Sequence, residues 1–138
     1  MHGNLYMLRL LLSKGGDILA RSSSGVGLMH VAAQSDKVEV MAFLVQSGLS
    51  VHEKDKNGAS PLHWAVYGGA EHAVLFLLSQ NASLEEPDGQ GNRPLHLAVV
   101  LKEFQSTSRI LKLLLGKNPD KKAANLNGYT CFDLARLM

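Results

Sequence analysis

The block Ser60–Pro61–Leu62–His63–Trp64–Ala65 returns as Arg93–Pro94–Leu95–His96–Leu97–Ala98 and, in worn form, as Gly27–Leu28–Met29–His30–Val31–Ala32. His30, His63 and His96 stand 33 residues apart, and Gly25, Gly58 and Gly91 keep the same step five residues ahead of each histidine. A fixed period of this size marks stacked supersecondary units, each burying its apolar face against its neighbours, rather than one closed globule.

The pattern between these landmarks predicts two helices per unit. Residues 4–14 read as a helix with Leu5, Leu8, Leu11 and Leu12 on one face, stopped by Gly15 and Gly16. Leu11 aligns with Leu44 and Leu77, so residues 1–21 are the second half of a repeat whose first helix is missing. Residues 22–54 form the first whole repeat, with a turn at Ser22–Gly25 and helices near Leu28–Gln34 and Val38–Gln46. Val38, Met41, Phe43, Leu44 and Val45 supply its apolar contacts.

Residues 55–87 form the second. Asp55–Lys56–Asn57–Gly58 is its turn signal, with Asn57–Gly58 suited to positive φ. Ser60 is the expected N-cap, and Pro61 sits where a helix start has no use for an N–H. Leu75, Phe76, Leu77 and Leu78 are the expected buried side of its second helix.

Residues 88–124 depart from the period, because Gly91 and Gly128 are 37 residues apart, four more than elsewhere. The extra residues are expected around Leu101–Ser106. There Val100–Phe104 would prolong the first helix, and Ser106 or Thr107 would cap the second. Residues 125–138 are a closing half-repeat. The two half-repeats predict a fragment of a longer array, or end-to-end pairing of two copies, with Leu134, Leu137 and Met138 as the exposed apolar group.

Composition narrows the function classes. Net charge is +2 over 138 residues, which makes no electrostatic case for nucleic acid. Residues 1–88 hold six Lys/Arg against nine Asp/Glu, and residues 89–138 hold eight against three, an acidic-to-basic gradient along the stack. No apolar run is long enough for membrane insertion. Cys131 is the single cysteine, so no intrachain disulfide forms and a reducing compartment, cytoplasmic or nuclear, is expected. Asn81–Ala82–Ser83 matches a glycosylation acceptor, relevant only to a secreted chain.

Three equally spaced histidines invite a metal reading. Equivalent residues of successive repeats are about 10 Å apart, however, and one zinc needs its ligands at about 2 Å. The histidines are instead expected to tie neighbouring backbone through both ring nitrogens. Cys131 is read either as a filler at the proline position or as a thiol activated near a helix start. The glycines fall at turns rather than in a phosphate-binding pattern, and no nucleophile–base–orienter grouping appears. No catalytic residue, metal or cofactor is therefore expected, and the chain is not read as an enzyme.

The glycine, the S/T-P-L-H-x-A block and the apolar second helix, repeated in register, resemble the ankyrin-repeat family over residues 3–138. The resemblance implies an all-α repeat solenoid of short β-hairpin turns and paired antiparallel helices, curved, and binding other proteins. The departures from the family pattern suggest looser packing at the ends than around residues 55–98. They are Gly27 and Arg93 for Thr, Leu28 and Cys131 for Pro, and Asp133 for His.

The partner-binding residues implied at the hairpin tips are Lys54, Lys56, Asn57, Gln90 and Asn92. Those implied at the inner, concave side are Gln34, Ser35, Tyr67 and Leu101, with Phe104 in the insertion. Tyr67 is either an interface anchor or a residue packed on the next helix. Phe104 is either a lid on its own repeat or an anchor, and Trp64 is assigned to the core. The expected function is a protein-interaction scaffold holding a peptide or domain through the tips and the concave face. The alternative is the substrate-recruiting module of a larger enzyme, such as an ankyrin-containing palmitoyltransferase, which the Leu62–Val66 wording is similar to.

Overall fold

The computed structural model describes residues 22–101, 105–117, 122–130 and 133–134. Among them six helices follow in order: α1 Leu28–Gln34, α2 Val38–Gln46, α3 Pro61–Tyr67, α4 Glu71–Ser79, α5 Pro94–Val100 and α6 Gln105–Leu115. The expected helix at 4–14, Arg21, Phe104, Cys131, Leu137 and Met138 lie outside the described residues.

The inner helices α1, α3 and α5 begin alike because an extended residue precedes each: Gly27 (φ −101°, ψ 177°), Ser60 (−88°, 169°) and Arg93 (−89°, 164°). Pro61 and Pro94 then fill the first helical position, whose N–H has no partner inside the helix. Ser60 caps as expected, its Oγ accepting from the His63 N–H at 3.4 Å. Leu28 stands in for proline without moving the helix start. The expected looser packing does not hold at α1, where Met29, His30 and Ala33 are completely buried.

The helices pair α1 with α2, α3 with α4 and α5 with α6, and the pairs stack into an inner row α1–α3–α5 and an outer row α2–α4–α6. One continuous core runs between the rows, through Met29, Met41, Leu44, Leu62, Val66, Val74, Leu77, Leu95, Ile110 and Leu114. The outer helices contribute one narrow stripe each. In α4 it is Ala73, Val74 and Leu77, while Leu75 is 45% exposed. The expected run Leu75–Leu78 cannot share a face, because four consecutive residues turn through most of a helical circle. Leu134 is half-buried against the core rather than exposed.

The four extra residues of the third repeat do not prolong the inner helix. α5 has the same seven residues as α3, and Leu101 closes it by donating its N–H to the Leu97 carbonyl at 3.0 Å. The extra length is spread instead. α6 starts five residues after α5 ends, against four between α3 and α4, it has 11 residues against nine in α4, and Asn125 follows it by ten residues against nine from α4 to Asp88. Ser106 and Thr107 lie inside α6 rather than ahead of it. Stacking explains the distribution, since a longer α5 would carry its end past the neighbour α3.

Hairpin tips project beside the inner row. In each, the first residue accepts two backbone N–H groups on one side-chain oxygen: Ser22 from Ser24 and Val26 (3.2 and 3.1 Å), Asp55 from Asn57 and Ala59 (2.9 Å each), Asp88 from Gln90 and Asn92 (2.9 Å each), Asn125 from Asn127 and Tyr129 (3.0 Å each). Successive tips are joined by single backbone bonds: Lys56 N to Ser24 O (2.9 Å), Gly89 N to Asn57 O (2.5 Å) and Leu126 N to Gln90 O (2.9 Å). Of the pair Asn57–Gly58, only the glycine takes positive φ.

The outer row has its own tie. Asp36, at φ +58°, accepts the Ala73 N–H on Oδ1 at 2.7 Å, so a loop of the first repeat caps α4 in the second.

Gly91 and Gly128 separate backbone strain from stacking. Both hold positive φ (+77° and +82°), but a Cβ at Gly91 would lie 2.6 Å from the Leu126 nitrogen, while one at Gly128 meets nothing within 4 Å. Both substitutions to Ala should cost about 1–2 kcal/mol for left-handed backbone, and Gly91→Ala should cost clearly more, because the joined tips must part. Equal midpoint shifts in urea unfolding would contradict this. In the same assay Leu77→Ala, at a fully buried site, should cost about 2–5 kcal/mol. Leu134→Ala, at the half-buried end, should cost under about 1 kcal/mol.

Candidate functional site

The repeated histidines are structural ties, as the sequence predicts. His30 accepts the Gly27 N–H on Nδ1 (3.1 Å) and donates from Nε2 to the Ala59 carbonyl (3.1 Å). His63 accepts from Ser60 N–H (3.2 Å) and donates to the Asn92 carbonyl (2.9 Å), and its Nδ1 also takes the Ser60 hydroxyl at 2.8 Å. His96 accepts from Arg93 N–H (3.1 Å) and faces the carbonyls of Ala123 (3.1 Å) and Tyr129 (3.2 Å). Each ring spends Nδ1 on the start of its own helix and Nε2 on the next repeat's tip. That pattern requires the neutral ring with its hydrogen on Nε2, and it leaves no lone pair for a metal.

These ties hold the tips at a fixed distance from the inner row. Between them lies a cavity of about 300 Å³, lined by Gln34, Ala59, His63, Trp64, Tyr67, Asp88, Gln90, Asn92 and Leu97. Four residues expected to bind a partner, Gln34, Tyr67, Gln90 and Asn92, are brought together here. Trp64 is half-buried rather than core. Its Nε1 donates to Asp55 Oδ2 (3.0 Å), and its ring meets His30 edge-on at a centroid distance of 5.7 Å. Tyr67 is 67% exposed, so it is not packed on the neighbouring helix. Gly68 beside it leaves no room for a side chain, since a Cβ there would lie 2.6 Å from the Gln34 carbonyl oxygen.

The other expected residues fall outside this cavity. Ser35 closes α1 with its N–H on the Val31 carbonyl at 3.0 Å. Lys54 pairs with Glu86 of the next repeat, and the ammonium holds the Glu86 carboxyl below its ordinary range. Both partners are about 40% exposed, so the pair adds little stability. Lys56 and Asn57 are exposed at a tip whose backbone is spent on its neighbours, and Leu101 is half-buried at the end of α5.

Two residues with defined work were missed by the sequence reading. Asp36 caps α4 and, through Oδ2, binds His72 Nδ1 at 3.0 Å. Nothing in the sequence shows that its loop reaches the next repeat. Asp88 lines the cavity, and the recurrence of Ser22, Asp55, Asp88 and Asn125, all short acceptors, was a legible sign of its turn role.

Protonation should read out this arrangement. Burial pushes His63 below 6.5, the Asn92 carbonyl opposing it most. A depressed base contributes stability that is whole above its unfolded value and is lost as pH falls through the folded one. Exposed His72 moves the opposite way, raised from 6.5 by its hydrogen bond to Asp36. Its contribution is present below the unfolded value and is lost as pH rises through the raised one. An NMR titration should therefore place the His63 midpoint below and the His72 midpoint above 6.5. The reverse order would contradict the geometry.

Among the described residues no helix is long and apolar enough to cross a membrane. No curated protein matches the chain. The family model for ankyrin repeats (3 copies) matches residues 28–125, from the start of α1 to the last tip. That span covers more than half of the chain and coincides with the stacked helix pairs, and the protein belongs to the ankyrin-repeat family.

Proposed function

We propose that the chain is a protein-interaction scaffold that holds a peptide or domain against the face between the hairpin tips and the inner row. Ankyrin repeats are generally protein-interaction modules, which supports the class. The observation that carries the placement is the single cavity where Gln34, Tyr67, Gln90 and Asn92 meet around Trp64. Along the same row Val31 is 49%, Tyr67 67% and Val100 39% exposed, an apolar strip on helices whose opposite side is already buried. The strip has an amphipathic aromatic beside flexible polar side chains, the composition of an interface centre. The same face would serve an array that recruits substrates for a larger enzyme.

Tyr67→Ala tests the placement. At a site this exposed, folding stability should stay within about 0.5 kcal/mol. Affinity for a partner first captured on the wild-type chain, then purified and titrated, should fall at least about fivefold, the loss of an interface anchor. A partner held equally well by Tyr67→Ala and by Gln90→Ala would place the binding face elsewhere.

A further inference from the structure

The second and third repeats use the same turn acid differently. Asp55 has both oxygens engaged: Oδ1 takes the Asn57 and Ala59 N–H groups, and Oδ2 takes the indole N–H of Trp64. Asp88 repeats the first half, with Oδ1 on Gln90 and Asn92 N–H at 2.9 Å each. The residue that corresponds to Trp64 in this repeat is Leu97, which has no donor. Among the described residues no donor reaches Asp88 Oδ2. Asp88 is half-buried and lines the 300 Å³ cavity, whose lining holds this one carboxylate and no Lys or Arg.

The remaining walls suit a flat cation. Trp64 is held in place by Asp55 and by its edge contact with His30, and Tyr67 stands at the open side. Leu97 supplies an apolar wall. A guanidinium is planar, stacks on aromatic rings and donates charge-assisted hydrogen bonds to a carboxylate, which an ammonium does only as a point charge.

We propose that this cavity is a pocket for an arginine side chain of the bound partner, with Asp88 Oδ2 as acceptor and Trp64 and Tyr67 as stacking surface. The proposal rests on the interaction-scaffold reading and names the chemistry that the face selects. It assigns the specificity to an asymmetry between repeats: where Trp64 satisfies its acid from within, Leu97 leaves the acid to be satisfied from outside.

The test uses small probes, so it does not depend on identifying a partner. N-acetyl-arginine amide and its neutral isostere N-acetyl-citrulline amide are titrated against the whole chain. Binding is followed by NMR at the indole N–H of Trp64, the single tryptophan, and at the Gln90 amide. The arginine probe should give saturable shifts at both positions, and the citrulline probe should bind about tenfold more weakly, the loss of one charge-assisted hydrogen bond. Asp88→Asn should reduce arginine to the citrulline level. It should stay folded, because Asn125 makes the same two turn bonds through Oδ1 at 3.0 Å each. Leu97→Trp should also abolish the preference by giving Asp88 the internal donor that Asp55 already has. Equal binding of the two probes, no saturable shift, or an Asp88→Asn chain that still prefers arginine would overturn the pocket. Loss of partner binding in Tyr67→Ala without any arginine preference would leave the scaffold reading standing and remove only this one.

Discussion

The imidazole that bridges two repeats is the contact on which the rest of this structure depends. An array of short helices has no closed core, so each unit must be tied to the next by something more directional than apolar burial. His30, His63 and His96 do this with one atom on each side of a five-membered ring: Nδ1 fixes the helix start, Nε2 the following tip. Each ring is almost wholly buried, which makes an unpaired ring nitrogen costly. The tips then lie close enough to pass single backbone bonds along the stack. Among the described residues no buried side-chain nitrogen or oxygen lacks a partner, so the polar interior is closed as well as the apolar one.

With the tips held off the inner helices, a cleft follows of necessity, and its character is set by residues that the ties leave unconstrained. Positions 31, 64 and 97, and 34, 67 and 100, carry different side chains in successive repeats: Val, Trp and Leu, then Gln, Tyr and Val. The frame is periodic and the lining is not. Function in such a stack therefore lives in departures from the repeat, and Asp88 beside Leu97 is the departure with the clearest chemical consequence.

The period, the helix pairs and the histidine roles were legible in the sequence because each comes from short-range spacing that recurs in register. α1 to α4 fall where the spacing puts them, and the tying role of the rings follows from their occurring at equal steps. What was not legible depends on how repeats meet. Leu75 stands among three apolar neighbours in sequence yet points outward, because helical phase and not composition selects the buried stripe. The four extra residues of the third repeat were assigned to a longer α5, while the stacked neighbour fixes that helix at seven residues and distributes the surplus elsewhere. Asp36 reaches across to α4, a contact 37 residues long in sequence that no local pattern records. Of the residues expected to bind, Gln34 and Tyr67 on the inner row and Gln90 and Asn92 at the third repeat's tip converge. Lys54 and Lys56 do not: one is engaged in an ion pair, and the other is exposed at its tip outside the cavity lining.

The tautomeric state of the three buried histidines tests the account most directly. Side-chain nitrogen NMR on uniformly labelled protein distinguishes a ring nitrogen that carries hydrogen from one that accepts it. The bridging arrangement predicts hydrogen on Nε2 and a bare Nδ1 at His30, His63 and His96 alike, with a through-hydrogen-bond coupling from His63 Nε2 to the Asn92 carbonyl carbon. Hydrogen on Nδ1 at any of the three, or rapid exchange between tautomers, would mean that the ring does not join the repeats and that the tips are held by something else.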